Sequence, residues 1–136
     1  MHDSDRTLLI DLRKALLHLH KTLLDWERAA YERIHGRTSA GELLTVIMDD
    51  PQFAWLRPIS VLIVRIDETL DMEAPDVPVD VQALVSRARS VVAPDETGTP
   101  YAQRYHAALQ DYPDAVFAHR AVTNVLKNVP SRPTLH

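Results

Sequence analysis

The sequence predicts an all-α protein, a compact helical bundle of four principal helices with short connecting helices. Apolar residues recur at spacings of three and four along most of the chain, which is the period of an amphipathic helix. No stretch alternates apolar and polar residues for long enough to predict a strand. Glycine, with 3 of 136 residues, is too scarce for a turn-rich β fold. Together these observations favour helices packed on helices.

The length of the chain predicts one domain. A chain of 136 residues is close to the usual size of a single domain and can bury a real core without disulfides. We therefore expect residues 1–136 to form one helical-bundle domain. The last residues, from about 129 to 136, include two prolines and are expected to form a frayed C-terminal tail.

The first helix is predicted from about Ser4 to His35. Its apolar residues repeat at alternating spacings of three and four, and Gly36 follows at a position typical of a helix end. At about 30 residues, this helix would be roughly 45 Å long, which is long for so small a domain. The stripe expected to face the core consists of Leu9, Leu12, Leu16, Leu19, Leu23, Trp26 and Ala30.

Two helical patterns follow in the middle of the chain. A short helix is predicted from Glu42 to Asp49, with Thr38 or Ser39 as its N-cap. The next pattern extends from Pro51 to Met72. Because proline lacks a backbone N–H and clashes with the preceding turn, Pro58 should kink this helix or divide it in two.

The C-terminal half predicts three more helices. Residues 79–92 carry apolar residues at helical spacing. Thr99-Pro100 places a capping residue before a proline, which is typical of a helix start and predicts that the second of these helices begins there. Asp50-Pro51, earlier in the chain, has the same pattern. The segment from Asp111 to Asp114 resembles a capping box for a last helix that ends near Asn128.

Composition excludes several classes of function. The chain has no cysteine, so disulfides, zinc-thiolate sites, iron–sulfur clusters and thiol nucleophiles are excluded. Acidic residues outnumber basic ones by 19 to 15, which argues against nucleic-acid binding. No apolar run is long enough to span a membrane and the N-terminus does not resemble a signal peptide, so we expect a cytoplasmic protein. Catalytic serine turns, phosphate loops and dinucleotide fingerprints are absent from the sequence.

A line of polar residues interrupts the apolar arc of the first helix. His20, Glu27, Tyr31 and His35 lie along one side of this helix, beside the leucine stripe. Buried polar groups require hydrogen-bonding partners, so another helix should present such groups to this line. The candidate partners are Arg57, Arg65, Tyr101, Tyr105 and His119.

This polar line has two interpretations. A histidine and a carboxylate in a core more often form a satisfied structural network, and the sequence favours that interpretation, with no cofactor. The alternative is a ligand-binding or metal-binding site. Its binding residues would be His20, Glu27, Tyr31, His35, Trp55, Arg57, Tyr101 and Tyr105. A metal, if one binds, would be held by His20, Glu27, His35 and His119, although their spacing matches no known metal motif.

The helix after Pro58 is apolar on more than one side. Its main stripe consists of Ile59, Leu62, Ile66 and Leu70, and roughly opposite lie Val61, Val64 and Met72. Such a helix is either central in its bundle or pressed against another chain. We therefore expect a homodimer through the second surface. The leading functional hypothesis is a non-catalytic protein-interaction or regulatory module with an unidentified protein partner.

Overall fold

The computed structural model describes residues 3–72 and 80–129, and within those ranges it contains seven helices and no strand. The predicted all-α class is therefore confirmed. The helices are α1 (Asp3–His35), α2 (Ala40–Asp49), α3 (Pro51–Ala54), α4 (Arg57–Leu70), α5 (Val81–Val91), α6 (Pro100–Asp111) and α7 (Pro113–Lys127).

The long first helix is the centre of the fold. α1 packs mainly against α7 and α4, while α4 also contacts α5 and α6 contacts α7. The predicted leucine stripe is confirmed, because each of its five leucines is completely buried: Leu9, Leu12, Leu16, Leu19 and Leu23. Gly36 follows α1 with a φ of 83°, a conformation that a residue without a Cβ adopts readily. Its N–H donates to the carbonyl of Glu32 at 2.8 Å, which closes the last turn.

Three of the predicted helix caps are present. The side-chain oxygens of Ser39, Asp50 and Thr99 each accept a hydrogen bond from a backbone N–H two or three residues further on, at distances of 2.8–3.2 Å. Each cap satisfies one of the N–H groups that a helix start leaves without a partner in the helix itself. These local interactions explain why α3 and α6 begin where the sequence predicts. α2 begins at Ala40, directly after its predicted cap Ser39 and two residues before the predicted start at Glu42.

Prolines divide the chain rather than bend it. Pro58 lies in the first turn of α4 and Pro113 in the first turn of α7, where no backbone N–H donor is needed. The predicted capping box before α7 is wrong. The N-cap is Tyr112, without a side-chain cap bond, and the carboxylate of Asp111 accepts a hydrogen bond from Trp26 Nε1 at 2.7 Å. A tertiary contact with α1 has therefore taken the place of a local cap.

The predicted frayed tail, from about 129 to 136, lies almost entirely outside the described residues, which end at Val129. Val129 itself is only 8% exposed and belongs to the core. None of the helices in the described ranges has the length and apolar character needed to cross a membrane.

Candidate functional site

Glu27 is a completely buried carboxylate with several donors around it. Its Oε1 accepts hydrogen bonds from Trp55 Nε1 at 3.1 Å and from Arg104 Nε at 2.8 Å, and a second guanidinium nitrogen of Arg104 lies 2.5 Å away. Its Oε2 accepts from Gln52 Nε2 at 2.9 Å. The same Gln52 amide donates to the backbone carbonyl of Glu27 at 3.2 Å. We call these four residues the Glu27 cluster.

The partners of Glu27 differ from those that the sequence predicted. Among the described residues, none of the five candidates donates to this carboxylate; they were Arg57, Arg65, Tyr101, Tyr105 and His119. The expectation that other helices present hydrogen-bonding groups to Glu27 is nevertheless correct. The donors come from α3, from the residue that follows it and from α6. An amphipathic pattern shows which face of a helix is buried, but it does not show which side chains lie opposite.

An aromatic ring lies against the cation of the Glu27 cluster. The guanidinium of Arg104 lies 4.4 Å from the centre of the Trp26 ring, a cation–π contact. Trp26 in turn meets Trp55 edge to face, with ring centres 6.5 Å apart. Because Glu27 accepts from three side chains and is shielded from solvent, it is not available to a ligand. The arrangement favours the interpretation of Glu27 as part of a structural network.

The other members of the polar line lie apart from Glu27. Tyr31 packs against His35, with ring centres 4.3 Å apart, and against Phe53 at 6.0 Å. His35 is exposed at the end of α1. In the part of the chain that the structure describes, neither ring is hydrogen-bonded to Glu27. The polar line of α1 is therefore not one continuous site.

Two of the predicted binding residues form a second group, in which Tyr105 is fully buried and Tyr101 partly buried. Tyr101 donates a hydrogen bond to the carbonyl of Val91 at 2.6 Å, and the hydroxyl of Tyr105 lies 2.7 Å from His119 Nδ1. Their rings stack with centres 6.0 Å apart. Burial raises the pKa of both phenols well above the usual range, so both stay protonated. These hydroxyls bind partners inside the protein and are not arranged around a shared ligand.

The residues proposed for a metal do not come together. Among residues 3–72 and 80–129, no group of three or more histidine, aspartate or glutamate side chains is placed to hold a metal ion. Glu27 accepts from its three donors, and His119 lies against Tyr105. His35 is at the far end of α1. The four proposed ligands thus have separate surroundings.

His20 and Arg57, however, meet at one cleft. This cleft has a volume of about 260 Å³ and lies between α1, α2, α3 and the start of α4. His20, Arg57 and Ser60 are its polar residues. Its apolar lining consists of Leu24, Ile47, Met48, Phe53, Ala54 and Leu56. Burial lowers the pKa of His20, which favours the neutral imidazole at this position.

We expect stability to fall in acid partly because of two histidines. Burial lowers the pKa of His20 and of His119 from the ordinary value of 6.5. Below pH 6.5 these histidines bind more protons in the unfolded chain than in the folded chain, so acid favours the unfolded state. The folded state therefore has its full stability above pH 6.5 and loses stability as the pH falls through the lower folded pKa values. Between pH 7.5 and 5, the free energy of unfolding measured by urea denaturation should fall less for His20→Gln and His119→Gln than for the exposed control His18→Gln. Equal falls in all three variants would contradict this prediction.

The outward side of α4 exposes apolar residues beside charged ones. Val61 is 40% exposed, Val64 is 53% exposed, and Met72, just beyond the helix, is 45% exposed. On the opposite side of the helix, Ile59 and Ile66 are fully buried. A groove of about 630 Å³ lies beside this surface, between α4 and α5. Val61, Val64 and Met72, which were predicted to lie opposite the main stripe, are thus exposed on the side that faces away from the core.

Comparisons with protein-family models, with curated proteins and with solved structures found no match to this chain.

Proposed function

We propose that this protein is a non-catalytic interaction module that works as a homodimer, with the outward side of α4 as the contact surface. The observation that carries this proposal is the exposure of Val61 and Val64 on a helix whose opposite side builds the core. In a monomeric protein, a surface helix normally keeps its outward side polar. Contiguous exposed apolar residues are typical of contact sites.

The residues around these valines have the character of an interface rim. Arg57, Arg65 and Glu68 are exposed and flank the apolar residues on the same helix. Protein interfaces combine an apolar centre with a polar and charged border, which this surface resembles. The groove towards α5, lined by Pro58 and Val91 among others, offers a concave region beside the helix. Side chains of a second chain could enter this region as the surfaces meet.

The buried polar groups support a non-catalytic role. A general base needs a free lone pair within reach of a substrate. The carboxylate of Glu27 is enclosed by its donors, and His119 is hydrogen-bonded to Tyr105. Both groups contribute to packing between helices. Neither is placed like the acid or base of an open active site.

Substitution of both valines tests the proposal. Wild-type protein is expected to show the mass of a dimer in light scattering and to dissociate on dilution. The double variant Val61→Asp with Val64→Asp should associate at least about 100-fold more weakly, because an unpaired buried carboxylate costs several kcal/mol. The matched control is Val116→Asp on α7, where the valine is 37% exposed. A monomeric wild-type protein, or a dimer that survives the double substitution, would contradict the proposal.

A ligand-binding bundle remains the second candidate, and one observation favours it. The cleft that holds His20 and Arg57 combines an apolar wall with a cationic group, which suits a small molecule with an apolar body and a negative charge. In this second proposal, the ligand site includes His20 but not Glu27. A ligand bound in the cleft would still bind to Glu27→Gln, whereas a site on the polar line of α1 would lose its ligand.

A further inference from the structure

Four exposed residues form a narrow stripe along α4. Arg57, Val61, Val64 and Glu68 follow one another at spacings of four, three and four, and all four are exposed. At about 100° per residue, they fall within an arc about 60° wide. Along the helix axis, the stripe is basic at its start, apolar in its middle and acidic at its end. We call it the α4 stripe.

The charges at both ends of the α4 stripe are available to a partner. Within residues 3–72 and 80–129, no ion pair uses the guanidinium of Arg57 or the carboxylate of Glu68. The neighbouring acid Asp67, by contrast, is paired with Arg13 of α1. Asp67 therefore lies against the bundle, whereas Glu68 faces outward.

This order of charges is self-complementary in one orientation. In a two-fold dimer, the same surface of each copy meets itself. When two such helices run antiparallel, the basic end of one stripe faces the acidic end of the other, and the apolar centres meet. A parallel arrangement would place arginine beside arginine and glutamate beside glutamate, which is repulsive.

We propose that two copies of this chain pair through antiparallel α4 helices, with Val61 against the partner subunit's Val64 and Arg57 paired with the partner subunit's Glu68. The proposal rests on the homodimer proposed above and adds its orientation and register. The two-fold axis then crosses the helix midway between the two valines. Each pair occurs twice, once on either side of the axis.

The flanking residues are compatible with this register. It places Arg65 directly opposite the partner subunit's Ser60, so no two arginines of the paired α4 helices occupy directly opposite positions. Specific interfaces usually bury about 800 Å² on each partner, which is more than one helix stripe supplies. The flanks of α4 and the groove of about 630 Å³ towards α5 must therefore contribute to the contact. Charge pairs at such borders select orientation more than they add affinity.

Reversal of the charges tests the register. Arg57→Glu and Glu68→Arg, made singly, would place like charges together at both ends of the stripe, and each should weaken dimerisation about tenfold or more. The double variant Arg57→Glu with Glu68→Arg restores opposite charges and should return to within about threefold of wild type. Arg65→Glu is the matched control, because it makes the same change in charge opposite a serine. Failure of the double variant to recover would overturn the register.

Single cysteines provide a direct measure of orientation, because the natural chain has none. An oxidised mixture of Arg57→Cys and Glu68→Cys should form disulfides between the two variants. Within a dimer of one variant, the two cysteines would be about 16 Å apart along the helix, too far for a disulfide. Disulfides within each variant, and none between them, would show a parallel pair and overturn the proposal. A wild-type monomer would overturn both the register and the homodimer, whereas a dimer that is sensitive to Val61→Asp with Val64→Asp but has no charge rescue would overturn the register alone.

Discussion

Replacement of Glu27 by alanine is expected to lower the free energy of unfolding by about 2–4 kcal/mol. The substitution removes the acceptor of Trp55, Arg104 and Gln52 and leaves a cavity at a completely buried position. Trp55 and Gln52 lose a hydrogen bond in partly buried surroundings, whereas the side chain of Arg104 is 41% exposed and keeps its access to water. Urea denaturation followed by far-UV circular dichroism measures this loss.

The matched control is Asp25→Ala on the same helix. Asp25 pairs with Lys21 at 3.0 Å on the surface, so its loss should cost under about 1 kcal/mol. Two carboxylates two residues apart, each with a cationic partner, then differ mainly in burial. If Glu27→Ala and Asp25→Ala were equally stable, Glu27 would not be the structural acceptor that its contacts indicate.

A more conservative change separates the two interpretations of Glu27. Glu27→Gln keeps the shape of the side chain but removes its charge and presents an N–H group to surrounding donors. A structural network predicts a loss of about 1–3 kcal/mol of stability. A ligand site on the polar line of α1 predicts normal stability with loss of binding. The contacts with Trp55, Arg104 and Gln52 favour the first result.

Leu19→Ala is expected to cost about 2–5 kcal/mol of stability. Leu19 is fully buried in the stripe with which α1 meets the rest of the bundle. The substitution leaves a cavity in addition to the lost apolar burial, and a helix that packs against both α4 and α7 cannot easily move to fill it. The midpoint of urea denaturation should fall accordingly.

The control for this prediction is two residues away. Leu17 lies on the same helix and is 39% exposed. Leu17→Ala removes the same atoms from the opposite side of the helix and should lower the free energy of unfolding by under about 1 kcal/mol. If the two alanine variants lost similar stability, the orientation of α1 in the bundle would be wrong.

Much of the fold could be predicted because its signals are local. The leucine spacing of α1 identifies its buried face, since residues three and four apart lie on the same side of a helix. Ser39, Asp50 and Thr99 each cap a helix through a hydrogen bond to a residue at most three positions away. The capping box predicted before α7 was wrong because Asp111 instead accepts a hydrogen bond from Trp26, which is 85 residues away along the chain.

The Glu27 cluster shows where prediction from sequence stopped. Trp55 was predicted as a binding residue of the same site as Glu27, but not as a donor to its carboxylate, and Gln52 was not predicted at all. A signal was nevertheless available. The Asp50 cap starts a helical turn in which these two residues, three apart, lie on the same side. Arg104 had no comparable signal, because nothing local distinguishes it from other arginines on a helix.

Local patterns along the chain were enough to identify which segments are helical, where most of them begin, and that α1 buries a carboxylate among leucines. They also showed apolar residues on more than one side of α4. The packing of the helices was needed to show that Gln52, Trp55 and Arg104 enclose that carboxylate, and that Val61 and Val64 face outward. The difference arises from separation along the chain. Caps and helical faces depend on neighbours within about one turn, whereas the donors to Glu27 are 25, 28 and 77 residues away and meet it only when the helices dock.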